Sequence, residues 1–187
     1  MYDNWKSLND ECTQCTKCDL SQTRTNVVIG RGNTDAKVML IGEGPGEQED
    51  MSGKPFVGAA GQLLDILLEA LMFKPDSYYI ANIVKCRPPK NRVPSDAEAE
   101  ECLPYLRNQV MLIKPKIIVC LGAVATKYII DKDAKITRIR GNWIERNKFA
   151  ILPTFHPAAL LRDESKKEPM WNDFVMLRDK MKEVGIW

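Results

Sequence analysis

The sequence predicts an α/β fold, a three-layer α/β/α sandwich around a central, mainly parallel four-stranded sheet. Three apolar runs rich in β-branched residues are bounded by turn residues, at 37–42, 78–84 and 116–122. Each run is hydrophobic almost throughout, which is typical of strands buried on both faces of a parallel sheet. Helical patterns separate the runs, and this alternation favours right-handed crossovers around one sheet.

The remaining elements follow from local patterns. Apolar residues recur at helical spacing in 58–73, 94–113, 123–130 and 169–183. The second of these segments opens with Ser95 at the N-cap position and Glu98 three residues later, which is the capping-box pattern. The segment 136–155 predicts a hairpin or two strands, because Gly-Asn and Arg-Asn-Lys within it are turn signals. It supplies the fourth strand of the sheet.

The length of 187 residues predicts a single domain over 1–187, because a chain of this size can bury a large apolar core. The N-terminus lacks the apolar core of a signal peptide, and no apolar run approaches the ~20 residues that cross a bilayer. We therefore expect a cytoplasmic protein, nucleoid-associated in a prokaryote, that does not contact a membrane. We also expect a monomer.

The distribution of charge is more informative than the net charge of +2, which is too small to identify a nucleic-acid binder. The segments 85–92 and 135–148 are strongly basic, whereas the loop 42–50 carries four acids and no base. Two basic segments beside one acidic loop suit a polyanion held around an acidic reaction centre. The same runs also suit ordinary solvated faces.

The chain has six cysteines, which are Cys12, Cys15, Cys18, Cys86, Cys102 and Cys120. In a reducing compartment, clustered cysteines more often bind metal than form disulfides. Cys15 and Cys18 form a tight pair, and Cys86 and Cys102 form a wider pair that flanks a loop entering a helix. Four such thiolates fit either tetrahedral zinc or a cubane iron–sulfur cluster, and the spacing does not choose between them. Cys120 lies inside an apolar strand and is predicted to be an ordinary buried thiol.

Polar and glycine-rich segments follow each predicted strand, at the edge of the sheet where α/β proteins place their sites. The loop 42–50 fits neither a dinucleotide-binding fingerprint nor a P-loop, and its carboxylates would repel phosphate. It is better explained as an active-site loop, in which Gly44 and Gly46 allow close approach of the backbone to a ligand and Pro45 stiffens the turn.

Four segments together carry a resemblance to a known family. They are "CTKCDLSQTR", "GEGPGEQEDMSGKPFVGAAGQLL", "NIVKCRPPKNRVPS" and "FHPAALLR". In this order they are similar to the family 4 uracil-DNA glycosylases, the iron–sulfur members of the uracil-DNA glycosylase superfamily. The resemblance implies a monofunctional enzyme of base-excision repair, which flips deoxyuridine out of single- or double-stranded DNA. It would hydrolyse the N-glycosidic bond, release uracil and leave an abasic site.

The resemblance also implies the metal ligands. Residue by residue, the ligand motif of the family falls on Cys15, Cys18, Cys86 and Cys102, and Cys12 is an additional thiol. The resemblance favours a [4Fe-4S] cluster over zinc. Such a cluster would tie the N-terminal segment to the basic loop at 85–92.

Three residues are implied to form the uracil pocket. Phe56 would stack on the flipped base, and Asn82 would pair with uracil O4 and N3–H, since an amide offers both a donor and an acceptor. His156, the single histidine, would donate to uracil O2 and stabilise the charge of the leaving group. Without the resemblance, Asn82 is equally explained as a turn residue and His156 as a structural histidine.

Two further residues of the loop 42–50 are implied to border the base, Glu43 and Gly44. Gly44 stands where better-known uracil glycosylases carry an aspartate that orients the attacking water. Glu43 and Glu49 are therefore the acidic candidates for that role. Glu49 and Asp50 are equally well explained as residues that brace the loop.

The predicted contacts to DNA are basic side chains for the phosphates and two leucines for the base stack. They are Arg87, Lys90, Arg92, Arg138, Arg140, Leu160, Leu161 and Arg162. The alternative for the leucines is helix packing. The alternative for the whole chain is a non-catalytic DNA-binding or electron-transfer protein, stabilised by a metal or a cluster. A covalent uracil-trapping relative is disfavoured, because it needs a histidine in the segment that reads "KCRPPKNRVPS" here.

Overall fold

One six-stranded sheet lies between two layers of helices in the computed structural model, which describes residue 2 and residues 4–187. The strands are β1 (Arg31–Gly32), β2 (Val38–Gly42), β3 (Tyr78–Asn82), β4 (Ile117–Leu121), β5 (Ile144–Glu145) and β6 (Ala150–Thr154). The helices are α1 (Trp5–Thr13), α2 (Leu20–Thr23), α3 (Glu47–Ser52), α4 (Ala59–Ala70), α5 (Asp96–Ile113), α6 (Gly122–Ile129), α7 (Ile136–Ile139), α8 (Pro157–Leu160) and α9 (Lys167–Glu183). Short 3-10 helices span Pro89–Asn91 and Glu164–Lys166.

The strand order is β1-β3-β2-β4-β6-β5, and the four central strands are parallel. The predicted α/β class is confirmed. The predicted strand count is too low, because β1 and β5 add an antiparallel pair at each edge. Each edge strand has only two residues, which is too short to leave a hydrophobic pattern in the sequence.

The central strands are buried at every position, as their continuous apolar runs predict. Alternate side chains enter different cores, because successive residues of a strand point to opposite faces. Met39 and Ile41 pack in the core formed with α1, α5 and α6. Val38 and Leu40 pack in the core formed with α4, α8 and α9. The sheet therefore separates two hydrophobic layers.

The segment 136–155 differs in part from its prediction. Its second half forms the predicted hairpin of β5 and β6, but its first residues form the one-turn helix α7. Gly141 follows that turn with a φ of +73°, a left-handed conformation that glycine adopts without steric cost. The four long helical segments were predicted correctly, with ends that differ by at most three residues.

The N-terminal segment is held to the rest of the fold by helix packing and by hydrogen bonds. Helix α1 packs on α5. Farther along, the buried Asp50 of α3 accepts hydrogen bonds from the backbone N–H groups of Thr25 and Asn26, at 2.9 and 3.2 Å. In the part of the chain that the structure describes, no helix combines the length and the apolar character needed to span a bilayer.

Candidate active site

A cavity of about 240 Å³ opens at the carboxyl edge of the parallel strands. It is lined by Glu43, Gly44, Pro45, Gly46, Glu49, Phe56, Ala60, Gly61, Asn82, Pro88, Asn91, Arg92, His156 and Ala158. All six residues predicted to be catalytic or substrate-binding are among them. A larger groove of about 370 Å³ between α4 and α9 is lined mostly by apolar side chains, so the smaller cavity is the candidate active site.

Phe56 and His156 form the aromatic part of this cavity. Their ring centroids are 5.5 Å apart with an angle of 28° between the planes. Phe56 has a φ of +55°, an uncommon conformation for a residue with a side chain. Gly61 accommodates it, since a Cβ at position 61 would collide with the Phe56 carbonyl. A glycine in the first turn of α4 therefore lets the strained phenylalanine backbone lie against the helix.

Asn82, at the end of β3, contributes a buried amide. It is 2% exposed, and its Oδ1 has no hydrogen-bond partner among the described residues. Leaving a buried acceptor unpaired costs about 1–3 kcal/mol, so such an atom is a natural contact for a ligand donor. The neighbouring strand leaves room for the amide at Gly42, where a Cβ would stand 2.5 Å from Oδ1.

His156 precedes α8 and is neutral. Its Nδ1 accepts a hydrogen bond of 3.1 Å from the Ala158 N–H, so the ring proton of the neutral form belongs on Nε2. Burial, together with the positive charge of Arg162, lowers the pKa of His156 to about 4. Gly122 allows the His156 side chain to lie close to the backbone at the start of α6. It has a φ of +90°, and a Cβ at this position would lie 2.8 Å from the His156 Cβ. The ring is thus an uncharged donor at neutral pH.

The two candidate carboxylates differ in their surroundings. Glu49 accepts hydrogen bonds through both oxygens, at 3.1 Å from Gly46 N–H and at 2.9 and 2.8 Å from the N–H groups of Val57 and Gly58. These contacts favour the bracing role, and a catalytic role for Glu49 stays a prediction. The Glu43 carboxylate accepts no hydrogen bond from the described residues. Burial raises its pKa, and the positive charge of Arg162 offsets only part of that rise.

Asn91 lines the cavity and was not predicted from the sequence. It has a φ of +55° and follows Lys90, whose φ is +54°. Its Oδ1 accepts a 2.8 Å hydrogen bond from Arg87 Nε. The signal available in the sequence was an asparagine shortly after Pro-Pro, since asparagine tolerates the left-handed conformation better than most residues.

A second cavity gathers the predicted metal ligands. It is lined by Cys12, Cys15, Cys18, Cys86 and Cys102, together with Lys17, Ser21, Arg24, Lys85, Glu101 and Tyr105. Arg24 Nη1 donates to Cys86 Sγ at 3.3 Å and to the Cys15 carbonyl at 2.7 Å. The backbone N–H of Lys85 donates to Cys102 Sγ at 3.2 Å. Cys120 is buried in β4 and does not line this cavity.

The chemistry of this donor set fits a metal centre with thiolate ligands, because at least four thiols line one cavity. In a cubane each cysteine binds a different iron, so the sulfurs surround a larger body. The N–H donors on Cys86 and Cys102 suit sulfur that carries negative charge.

Residues 29–175 match a family model described as the uracil DNA glycosylase superfamily. A type-4 uracil-DNA glycosylase from Thermotoga maritima is 45% identical over 86% of this chain and 84% of its own length. Another from Sulfurisphaera tokodaii is 44% identical, with 95% and 84% covered, and one from Archaeoglobus fulgidus is 41% identical, with 90% of each covered. The chain belongs to the type-4 uracil-DNA glycosylases. The family resemblance of the four sequence motifs is therefore confirmed.

The structure of this uracil-DNA glycosylase family member corrects two of the predicted DNA contacts. Leu160 is 5% exposed and packs in the core with α4 and α9, so helix packing explains it. Leu161, the next residue, is 56% exposed. Arg140 pairs with the fully buried Asp173 and donates to the Pro169 carbonyl at 2.8 Å, so its guanidinium is committed to the fold.

Of the other predicted basic contacts of the glycosylase, three are exposed and two are held in ion pairs. Lys90, Arg138 and Arg162 are exposed. Arg87 pairs with Glu47 at 3.3 Å, whereas Arg92 forms two hydrogen bonds with Glu98, at 2.8 and 2.6 Å. The Arg92 guanidinium lowers the pKa of Glu98 to about 2. Both of these arginines are anchored beside the cavity, and their contacts with DNA stay predictions.

Proposed function

We propose that this chain is a monofunctional uracil-DNA glycosylase, which extrudes deoxyuridine from DNA and hydrolyses its N-glycosidic bond. The observation that carries the proposal is the unpaired Oδ1 of the buried Asn82, in one cavity with Phe56 and His156. Uracil has an N3–H for that oxygen and an O4 for the amide N–H. Cytosine has a bare nitrogen and an amine at these positions, so the same amide would reject it.

His156 stabilises the leaving group in this proposal. When the C1′–N1 bond breaks, its electron pair stays on uracil, and negative charge develops at O2. A neutral imidazole with its proton on Nε2 can donate to that oxygen, because Nδ1 is already held by the Ala158 N–H. No lysine lines the uracil cavity among the described residues, which agrees with hydrolysis rather than a Schiff-base mechanism.

Water captures the sugar cation that remains. Glu43 is the carboxylate that we assign to the water, since it borders the cavity without a hydrogen bond from the described residues. Asn91 is a second polar group in reach of the same space, held in place by Arg87. Glu49 is assigned to the loop, because three backbone N–H groups occupy its two oxygens.

We further propose that Cys15, Cys18, Cys86 and Cys102 hold a [4Fe-4S] cluster. When bound, the cluster would supply a rigid cross-link between the N-terminal segment and the loop at 85–92. The protein side of this link is the set of N–H groups that Arg24 and Lys85 direct at sulfur. Iron and acid-labile sulfide should be found in the purified protein. Cys15→Ala should lose them, whereas Cys12→Ala and Cys120→Ala should retain them. Stoichiometric zinc without iron would refute the cluster.

The substrate in this proposal is uracil-containing DNA, single- or double-stranded, bound by a monomer in the cytoplasm or at the nucleoid. Leu161 is the wedge for the base stack, since Leu160 is buried. The exposed cations Lys90, Arg138 and Arg162 are assigned to phosphates. Arg87 and Arg92 flank the same opening from the loop after β3.

The test uses protein purified without oxygen and oligonucleotides that carry one uracil, single- or double-stranded. Alkali should cleave the strand at the uracil position after incubation with the protein. Asn82→Ala and His156→Ala should each slow release by about 10²-fold or more, the usual loss for one positioned donor. Intact strands with the wild-type protein would refute the enzymatic proposal and favour a DNA-binding protein without activity.

A further inference from the structure

Lys85 is a buried lysine that lies between the uracil cavity and the cysteine cavity. It is 1% exposed, and its side chain turns inward from the end of the segment that follows β3. A buried ammonium is costly unless it is hydrogen-bonded and balanced by negative charge. The contacts that compensate this cost connect the two cavities.

On the side of the uracil cavity, Lys85 holds the backbone of Asn82. Its Nζ donates to the Asn82 carbonyl at 2.8 Å and to Gln109 Oε1 at 2.7 Å. Gln109 is fully buried in α5 and is itself fixed, because its Nε2 donates to the Ile29 carbonyl at 2.9 Å. The ammonium therefore ties the residue that carries the pocket amide to a rigid helix.

On the other side, the backbone of Lys85 belongs to the cysteine cavity. Its N–H donates to Cys102 Sγ at 3.2 Å, and Cys86 is the next residue. Its carbonyl accepts from the Val28 N–H at 2.8 Å, so this backbone has little freedom to move by itself. A displacement of the cysteine sulfurs would be transmitted to Lys85 and from there to Asn82.

The charge of Lys85 has no carboxylate partner among the described residues, since its Nζ is bonded to a carbonyl and an amide oxygen. The cysteines adjoin Lys85 through its backbone, since Cys86 is the next residue and the Lys85 N–H donates to Cys102 Sγ. The side chain and the backbone of Lys85 therefore join the Asn82 carbonyl to two of the proposed cluster ligands.

We propose that Lys85 is a positioning residue, which couples the assembly of the metal cluster to the orientation of Asn82 in the uracil pocket. This inference rests on the proposed function and adds the path by which the cluster acts on the reaction. With the cluster in place, the ammonium holds the Asn82 backbone and the amide faces the base. Without it, the sulfurs of Cys86 and Cys102 are no longer held in place, the backbone at Lys85 is free to shift, and the pocket amide loses its support.

The test compares binding of free uracil to the full-length protein with and without its cluster, measured by calorimetry. In the wild type, removal of the cluster should weaken uracil binding by about tenfold. In Lys85→Met, which keeps the length of the side chain but not the cation, binding should already be weak. Removal of the cluster should then weaken it by less than about twofold, because contacts within one network are not additive.

Lys17→Met is the matched control. Lys17 also lies beside the cysteines, but its side chain is 47% exposed and pairs with Glu11 at 3.1 Å. This variant should retain the tenfold difference between cluster-loaded and cluster-free protein. Iron content and the visible absorption of the cluster should be near wild type in both variants, because every ligand is retained.

Equal effects of cluster removal in Lys85→Met and the wild type would overturn the coupling. Should Lys85→Met fail to fold, Gln109→Leu removes the second anchor of the ammonium and leaves Lys85 and Asn82 in place. It should shrink the effect of cluster removal as well, and a full tenfold effect in this variant would refute the inference. A wild-type protein that releases no uracil from DNA would instead refute the proposed function.

Discussion

Gly42→Ala should disable the pocket without breaking the fold. Gly42 is the last residue of β2, and a Cβ there would stand 2.5 Å from Asn82 Oδ1 and 2.6 Å from Phe56 Cζ. Since Cβ contacts essentially never fall below 3.0 Å, the amide and the ring must each retreat by about 0.4–0.5 Å. Both movements carry a proposed uracil contact away from the base.

The size of the effect follows from these displacements. A misplacement of about 1 Å costs on the order of 10²-fold in rate, so half of that at two contacts should cost ~10- to 10²-fold. This corresponds to about 1.4–2.7 kcal/mol of transition-state stabilisation. Overpacking should lower the free energy of unfolding by about 1–3 kcal/mol, which a stable domain tolerates.

The assay is single-turnover release of uracil from a double-stranded oligonucleotide, with chemical denaturation of the same sample. Gly185→Ala is the control for stability alone, because Gly185 has a φ of +68° and an added Cβ would meet no other atom within 4 Å. It should lose about 1–2 kcal/mol of stability and release uracil at the wild-type rate. A Gly42→Ala protein that is as fast as the wild type would show that Asn82 and Phe56 do not act from these positions.

Three further sets of variants and measurements concern His156, the leucines at 160 and 161, and the arginines at 138 and 140. Because the pKa of His156 is about 4, the acid limb of the pH–rate profile should lie near pH 4, and an inflection near 6.5 would contradict a neutral donor. The unfolded chain binds this proton below pH 6.5, so the free energy of unfolding should fall from pH 6.5 to about 4, and His156→Gln should lack that decline. Leu160→Ala should lose about 2–5 kcal/mol of stability in denaturant titrations, whereas Leu161→Ala should stay stable and release uracil more slowly from double strands than from single strands. Arg140→Ala should lose about 3–5 kcal/mol of stability, because it leaves a buried carboxylate without its partner. Arg138→Ala should only reduce the salt dependence of DNA binding, by about one phosphate contact. Equal stability of the two variants would contradict this assignment.

The parallel topology is what made the site predictable from the sequence. Apolar runs located three of the four central strands, turn signals indicated the fourth, and the carboxyl ends of parallel strands meet at one edge. The loop 42–50, Asn82 and His156 therefore had to lie together, although more than a hundred residues separate the first from the last. The cysteine pairs could be grouped for a different reason, because their spacing, together with the family resemblance, predicts a shared metal centre.

The features that could not be predicted from the sequence depend on the direction in which individual side chains point, which changes over one or two residues. Leu160 and Leu161 are equally apolar, but a helix turns by about 100° per residue, so only one of them faces the core. Glu49 carries the charge of a catalytic acid, and its bracing role depends on N–H groups that fold back from Val57 and Gly58. Lys85 begins a strongly basic segment of sequence, and its burial accompanies hydrogen bonds to the Asn82 carbonyl and to Gln109 of α5.

The cysteine cavity also imposes an order on biogenesis. Its walls come from residues 12–24 and from residues 85–105, so a ribosome must add more than eighty residues after Cys18 before Cys102 emerges. At ~5–20 residues per second, the first thiols wait about 4–17 s without their partners. Delivery of the proposed cluster to the growing chain would therefore be premature until α5 has been made, and the early cysteines would have to stay reduced during that interval.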